Sequence, residues 1–212
     1  MTFEQLLTRL GAPRPEAVLW DLDGTIIDTE AAWASETEKL VLAHGGVWTP
    51  QDEEFINGCN TEDHVARMAA GIAAGGGEHP EPMSLFDELC DRLRRHVYPD
   101  PPFLAGSRQV LDLVAETGIP QALVTATPAP LVEAFLPRVP GVFDAIVTGS
   151  EEIPGKPDPA PYLLAASRLG VPADRCLAFE DSVHGNRAAR RSGAFTVNVT
   201  ATPLAVLVRK AG

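Results

Sequence analysis

Four short apolar runs, each leading straight into polar residues, and one alternating run constrain this chain more than any other feature. They are Ala17–Trp20, Ala122–Val124, Ala145–Val147, Cys176–Phe179 and Phe195–Val199. Continuously apolar runs of this length, bounded by turn signals, read as strands buried on both faces of a parallel sheet. Helical patterns separate the later runs: residues 106–117 before Gly118, a Pro-rich helix before Ala145, residues 158–169 before Gly170, and residues 185–192 before Gly193. Strands alternating with helices mean an α/β fold with a doubly wound parallel sheet.

The alternation is interrupted once. From Thr29 to about Val97 no strand pattern occurs. Residues 30–43 read as a helix. Thr61 to Ala74 reads as a second, with Thr61 as N-cap, and Ser84 to His96 as a third, with Ser84 as N-cap and Asp87 and Glu88 in its first turns. Gly75 to Pro82 reads as a loop. The expected architecture is a core of residues 1–28 and 103–212 carrying an inserted all-helical domain, residues 29–102. Phe3, Leu6, Leu7 and Leu10 predict a short amphipathic helix ahead of the first strand. No internal repeat is present.

Composition excludes several classes. The chain has 212 residues, 45% hydrophobic and 22% charged, which is ordinary for a globular protein and enough for one full domain with a small insert. Its net charge of −12, from 17 Lys+Arg against 29 Asp+Glu, opposes nucleic acid and anionic membranes as partners. The dense basic run Arg92, Arg94, Arg95 and His96 reads first as a solvated helix end and second as an anion-binding surface. Cys59, Cys90 and Cys176 are odd in number and widely spaced, which argues against a disulfide framework or a zinc site. The first residues lack the apolar core of a signal peptide, and no stretch of 18 apolar residues occurs, so the cytoplasm is the expected compartment.

In an open parallel sheet, ligands sit at the carboxyl ends of the strands, and four such ends carry polar residues here. The first is Asp21-Leu22-Asp23-Gly24-Thr25. Residues two apart on a strand share a side, so the two carboxylates are expected to converge. Two carboxylates in one small volume call for a cation between them or a proton on one of them, and Mg²⁺ suits such hard oxygen ligands. A carboxylate is also a nucleophile, and its neighbour a general acid and base. An isolated Asp pair is most often a cap or a surface pair. An Asp-x-Asp-Gly-Thr string, however, arises by chance in fewer than ~1% of chains this long, which outweighs that reading. The second end, Val124-Thr125-Ala126-Thr127, offers a hydroxyl and turn N–H groups to an oxyanion. The third segment, Gly155-Lys156-Pro157-Asp158-Pro159, presents an ammonium on a constrained backbone. The fourth, Phe179-Glu180-Asp181-Ser182, adds acidic residues suited to a metal or to capping the next helix. Taken singly, the last three read more simply as a cap, an exposed loop lysine and a helix cap. Together the four supply a nucleophile, a metal site, a hydroxyl clamp and a cation, the parts phosphoryl transfer needs.

The segments DLDGTIIDTE, LVTAT, GKPDP and FEDSVHGNRAA, in this order, resemble the haloacid dehalogenase superfamily, in its β-phosphoglucomutase-like branch with a small α-helical cap. The resemblance covers nearly the whole chain after the first ~15 residues. It implies a Rossmann-like core under a helical cap. It further implies Asp21 as nucleophile, Asp23 as acid and base, Thr125 and Lys156 on the phosphoryl group, and Mg²⁺ held by Asp21, the Asp23 carbonyl and Asp181. Glu180 would hold a metal-bound water or stand behind the ligands, and the N–H groups of Leu22, Asp23 and Ala126 would meet phosphoryl oxygens. Asp23 and Glu180-Asp181 disfavour halide release. Lys39, the insert's only lysine, carries no sign of the activation that phosphonate hydrolysis needs. Trp33 stands where the mutase carries a cap histidine, which favours hydrolysis over mutase chemistry.

Cap residues expected to meet the substrate are Asn57, Asn60, His64 and Arg67, with Trp33 and Thr61 as further candidates. Trp33 and Trp48 read more simply as cap core. The expected activity is that of a Mg²⁺-dependent phosphatase acting on a small phosphorylated metabolite such as a sugar phosphate, through an aspartyl-phosphate, as a monomer or weak homo-oligomer. The alternatives are a phosphosugar mutase and a non-catalytic phosphometabolite-binding protein.

Overall fold

The five runs form one parallel sheet. The computed structural model describes residues 1–56, 61–78 and 81–209. In chain order the elements are α1 (Phe3–Leu10), β1 (Ala17–Trp20), α2 (Glu30–Ala43), α3 (Pro50–Ile56), α4 (Thr61–Ala74), α5 (Pro82–His96), α6 (Ser107–Ala115), β2 (Gln121–Val124), α7 (Ala129–Phe135), β3 (Ala145–Val147), α8 (Ala160–Leu169), β4 (Cys176–Glu180), α9 (Val183–Ser192), β5 (Phe195–Asn198) and α10 (Leu204–Leu207). The chain separates into two units, residues 1–28 with 101–212, and residues 29–100.

In the first unit the sheet order is β3-β2-β1-β4-β5, all parallel. The chain therefore builds outward from β1 in one direction, then returns to lay β4 on its other side. That reversal between β1 and β4 opens the crevice in which such sheets bind ligands. Every residue of β1, β2 and β4 is buried, which is why these runs are apolar throughout rather than alternating. One set of alternate positions is dominated by small side chains: Ala17, Ala122, Ala145 and Ala178 pack with Ala165 and Ala166 of α8 and Ala188 and Ala189 of α9. Alanines let two helices lie close on the strands. The other set is bulkier: Trp20 stacks on Phe179 with ring centroids 4.4 Å apart, and its indole N–H donates to Gln121 at 2.9 Å. A capping box of Thr2 and Gln5 starts α1, and Gly11 in the left-handed region ends it.

The second unit is helical. Leu40 and Val41 of α2, Val65, Met68 and Ile72 of α4, and Leu85, Leu89 and Leu93 of α5 form its buried apolar set. Glu36 ties α2 to α5 by an ion pair with Arg92 at 3.1 Å, and Asp52 ties α3 to α4 through Arg67. Arg94 and Arg95 pair with Asp91 on their own helix, so the basic run is engaged along α5.

Two local expectations are corrected, and one helix is added. Ser84 is not an N-cap: α5 starts two residues earlier, at Pro82, because proline at the first helical position has its φ already set and no N–H to lose. Thr61 is the first residue of α4 rather than its cap. The segment Pro50–Ile56 is a helix of its own, α3, too short for its periodicity to stand out. Among the described residues no helix is long and apolar enough to cross a membrane.

Candidate active site

The carboxyl ends of β1 and β4 deliver the acidic groups. Asp21 extends β1 by one residue, its N–H reaching the Phe179 carbonyl at 3.1 Å. Glu180 is the last residue of β4 and Asp181 follows it. Carboxylate oxygens of Asp21, Glu180 and Asp181 all lie within 4.8 Å of one another. Lys156, from the segment between β3 and α8, enters this cluster with its side chain only 8% exposed. Its ammonium donates to Asp21 Oδ1 at 2.6 Å, to Glu180 Oε1 at 2.6 Å and to the Val124 carbonyl at 2.9 Å. Four of the residues singled out in the sequence thus meet at one point.

Glu180 is wholly buried, and both of its oxygens are engaged. Oε1 accepts from Lys156 and from the Tyr162 hydroxyl at 2.8 Å; Oε2 accepts from the Ser182 N–H and hydroxyl, each at 3.1 Å. A carboxylate offers about four lone-pair sites, so these donors use it fully. Ser182 also caps α9 through Gly185 N–H, the role left open for an Asp in the sequence.

Two glycines make room for the acids. A Cβ on Gly185 would sit 1.7 Å from Glu180 Oε1, and one on Gly24 would sit 2.1 Å from Asp181 Oδ2. Gly24 also has φ +78°, a conformation that other residues avoid.

The electrostatics follow from burial. Loss of solvent pushes the Asp21 carboxyl well above its ordinary range; Glu180 and Asp181 add to this and Lys156 opposes it. Burial, then Glu180, raises Asp181 to about 6. Burial works against the Lys156 ammonium, but Asp21 and Glu180 more than offset it and hold it protonated. With all three carboxylates ionised, the one ammonium would leave two negative charges uncompensated, which a divalent cation would balance. Oxygen donors of this kind fit a hard cation. With Glu180 committed to protein donors, Asp21 and Asp181 are the side chains placed to hold it.

Asp23 departs from the strand-alternation argument. β1 ends at Trp20, and Asp23 lies in a turn bridged to Ile27. Its direction is set by a tertiary contact, the Thr127 hydroxyl donating to Oδ2. The carboxylate cluster contains Asp21, Glu180 and Asp181, without the Asp23 side chain. Thr125 is buried, and its Oγ1 accepts the Thr127 N–H at 3.0 Å. Thr127 therefore joins the β1 and β2 loops, a role that its place two residues after Thr125 only hinted at. Leu22 is buried, with its carbonyl accepting from Ile26 at 2.8 Å and from Thr25 and Ile27, while Ala126 is exposed on the loop after β2.

Asn57 and Asn60 lie outside the described residues. His64 is not an open side chain: it is buried in the helical unit with Nε2 2.9 Å from Thr37 Oγ1, and burial lowers it to about 4, so it is neutral. Arg67 is engaged by Asp52 and lies over the Phe55 ring at 5.3 Å. Trp33 is half-buried and donates to the Tyr98 hydroxyl at 3.0 Å.

A family model for haloacid dehalogenase-like hydrolases matches residues 15–193, the span that carries every strand-end residue described above. The chain belongs to that family. This hydrolase is 30% identical over 197 residues to validoxylamine A 7′-phosphate phosphatase of Streptomyces hygroscopicus subsp. limoneus, covering 88% of this chain and 86% of that one. It is 33% identical over 187 residues to protein CbbY of Cereibacter sphaeroides, covering 84% and 81%. Among solved structures, a mutant CbbY from Rhodobacter sphaeroides in complex with xylulose-(1,5)bisphosphate aligns with TM-score 0.73 and 26% identity, over 86% of this chain and 84% of that one.

Proposed function

We propose that this hydrolase is a Mg²⁺-dependent phosphatase of small phosphorylated metabolites, with sugar phosphates as the favoured class. The observation that carries this is the buried Lys156 ammonium set between Asp21 and Glu180, beside Asp181. Relatives named hexitol phosphatase B and phosphorylated carbohydrates phosphatase support the substrate class.

The residues divide the work. An oxygen of Asp21 attacks phosphorus, the ester oxygen leaves, and Asp23 gives that oxygen its proton. The aspartyl-phosphate is then opened by water, whose proton returns to Asp23, giving phosphate and regenerating Asp21. Thr127 holds the Asp23 carboxylate for both transfers. Lys156 stands against the negative charge of the phosphoryl oxygens, with Thr125 and the N–H groups of Leu22 and Ala126 as further donors. Asp21 and Asp181, with the Asp23 carbonyl, would hold the metal, which supplies charge neutralisation when bound. The helical unit, residues 29–100, acts as the cap that selects the leaving group.

The test is inorganic phosphate release from a panel of phosphorylated sugars, glycolate and nucleotides, with Mg²⁺ and with chelator. Release that needs Mg²⁺ and vanishes in Asp21→Asn is expected. Release undiminished by either change would overturn the proposal.

A further inference from the structure

Tyr162 stands apart from the residues that meet the substrate. It lies on α8, fully buried among the alanines that cover the sheet. Apolar packing alone would be served by phenylalanine. A buried tyrosine hydroxyl needs a partner, and here the partner is Glu180 Oε1 at 2.8 Å, the same oxygen that takes the Lys156 ammonium. The ammonium also lies 5.3 Å from the centre of the Tyr162 ring. Burial, with Glu180 and Asp21 nearby, keeps the phenol protonated, so it remains a donor.

Two contacts from one side chain therefore bear on the lysine. The hydroxyl fixes the oxygen to which the ammonium is bound, and the ring face attracts the cation directly. Ser182 holds the other carboxylate oxygen and cannot replace the hydroxyl at Oε1.

We propose that Tyr162 is a positioning residue of the site: through Glu180 and through its ring it sets where the Lys156 ammonium stands against the phosphoryl group. This rests on the reading of Lys156 as the group that neutralises phosphoryl charge.

The experiment compares wild type with Tyr162→Phe, which keeps the ring. Loss of a hydrogen bond to a charged group, relayed through one carboxylate, is expected to lower kcat/KM by about tenfold. Inhibition by orthovanadate, which mimics the phosphoryl group in transfer, weakens by a similar factor. A purely structural hydroxyl would lower the unfolding temperature and leave both quantities unchanged. A folded Tyr162→Phe protein with unchanged kcat/KM and vanadate inhibition overturns the proposal.

A second measurement stands if that variant does not fold or if no phosphomonoester is hydrolysed. The chain has two tyrosines, so 3-fluorotyrosine labelling gives two fluorine resonances, assigned with Tyr98→Phe. The Tyr162 resonance is expected to shift in Lys156→Arg, which moves the cation. An unmoved resonance overturns the coupling. Absent phosphate release with a shifted resonance instead counts against the phosphatase reading alone.

Discussion

Replacing Lys156 with methionine isolates the charge balance of the site. Methionine fills most of the space of the lysine stem, so little cavity arises. What is lost is the ammonium, with bonds of 2.6 Å to Asp21, 2.6 Å to Glu180 and 2.9 Å to the Val124 carbonyl. Removing one partner of a buried pair costs about 3–5 kcal/mol, because the other charge stays buried and unpaired. Proton uptake limits that cost. Putting a proton on an ordinary carboxylate costs ~1.4 kcal/mol for each pH unit above its usual value, about 4 kcal/mol near pH 7.5 and under about 2 near pH 5.5. The expected penalty is thus about 3–4 kcal/mol near neutral pH, falling by half or more on acidification. The sign follows from linkage: the variant's native state binds a proton that its unfolded state does not, so its stability rises as pH falls. Denaturant titration of wild type and variant across this range, with chelator present, measures it. Trp20, stacked on Phe179 in the sheet, reports the first unit when Trp33 and Trp48 are replaced by phenylalanine. A penalty below about 1 kcal/mol near neutral pH, or one that does not shrink in acid, would refute the reasoning.

Gly185→Ala is expected to push Glu180 from its seat, since the added Cβ would lie 1.7 Å from Oε1; stability falls by about 1–3 kcal/mol and phosphate release by tenfold or more, read by melting and steady-state kinetics. Burial raises Asp181 to about 6, so the metal-free fold gains stability as pH falls through that value. Mg²⁺ binding weakens over the same window, because protons compete for the ligand; calorimetric titration from pH 5 to pH 7.5 reads the change. Burial raises Cys90 to about 12 and Cys176 to about 11, so neither thiol reacts with a disulfide reagent at neutral pH until the chain unfolds, as peptide mapping after labelling would record.

The short apolar runs between helical patterns determined the α/β class, because strands buried on both faces leave no polar position to blur them. They also pointed to one sheet edge as the candidate site, because polar residues straight after such runs fall there. The resemblance carried by the four segments assigned roles to Asp21, Asp23, Thr125, Lys156 and Asp181 from the chain alone. Short-range competition decided the local boundaries that moved: the proline start of α5 and the brief α3 produce weak periodic signals.

Only the tertiary structure decided which donor meets which acceptor. Lys156 and Asp21 are 135 positions apart, and Thr127 and Asp23 are 104 apart. No local pattern encodes such pairings. Tyr162 looks like one more core position of α8 until its hydroxyl is seen on Glu180, and Glu180 looks like a metal ligand until its oxygens are seen to be occupied. Periodicity reports which face of an element is buried. The direction of a single hydroxyl or ammonium is fixed by packing among several elements at once, and it exists only after they have come together.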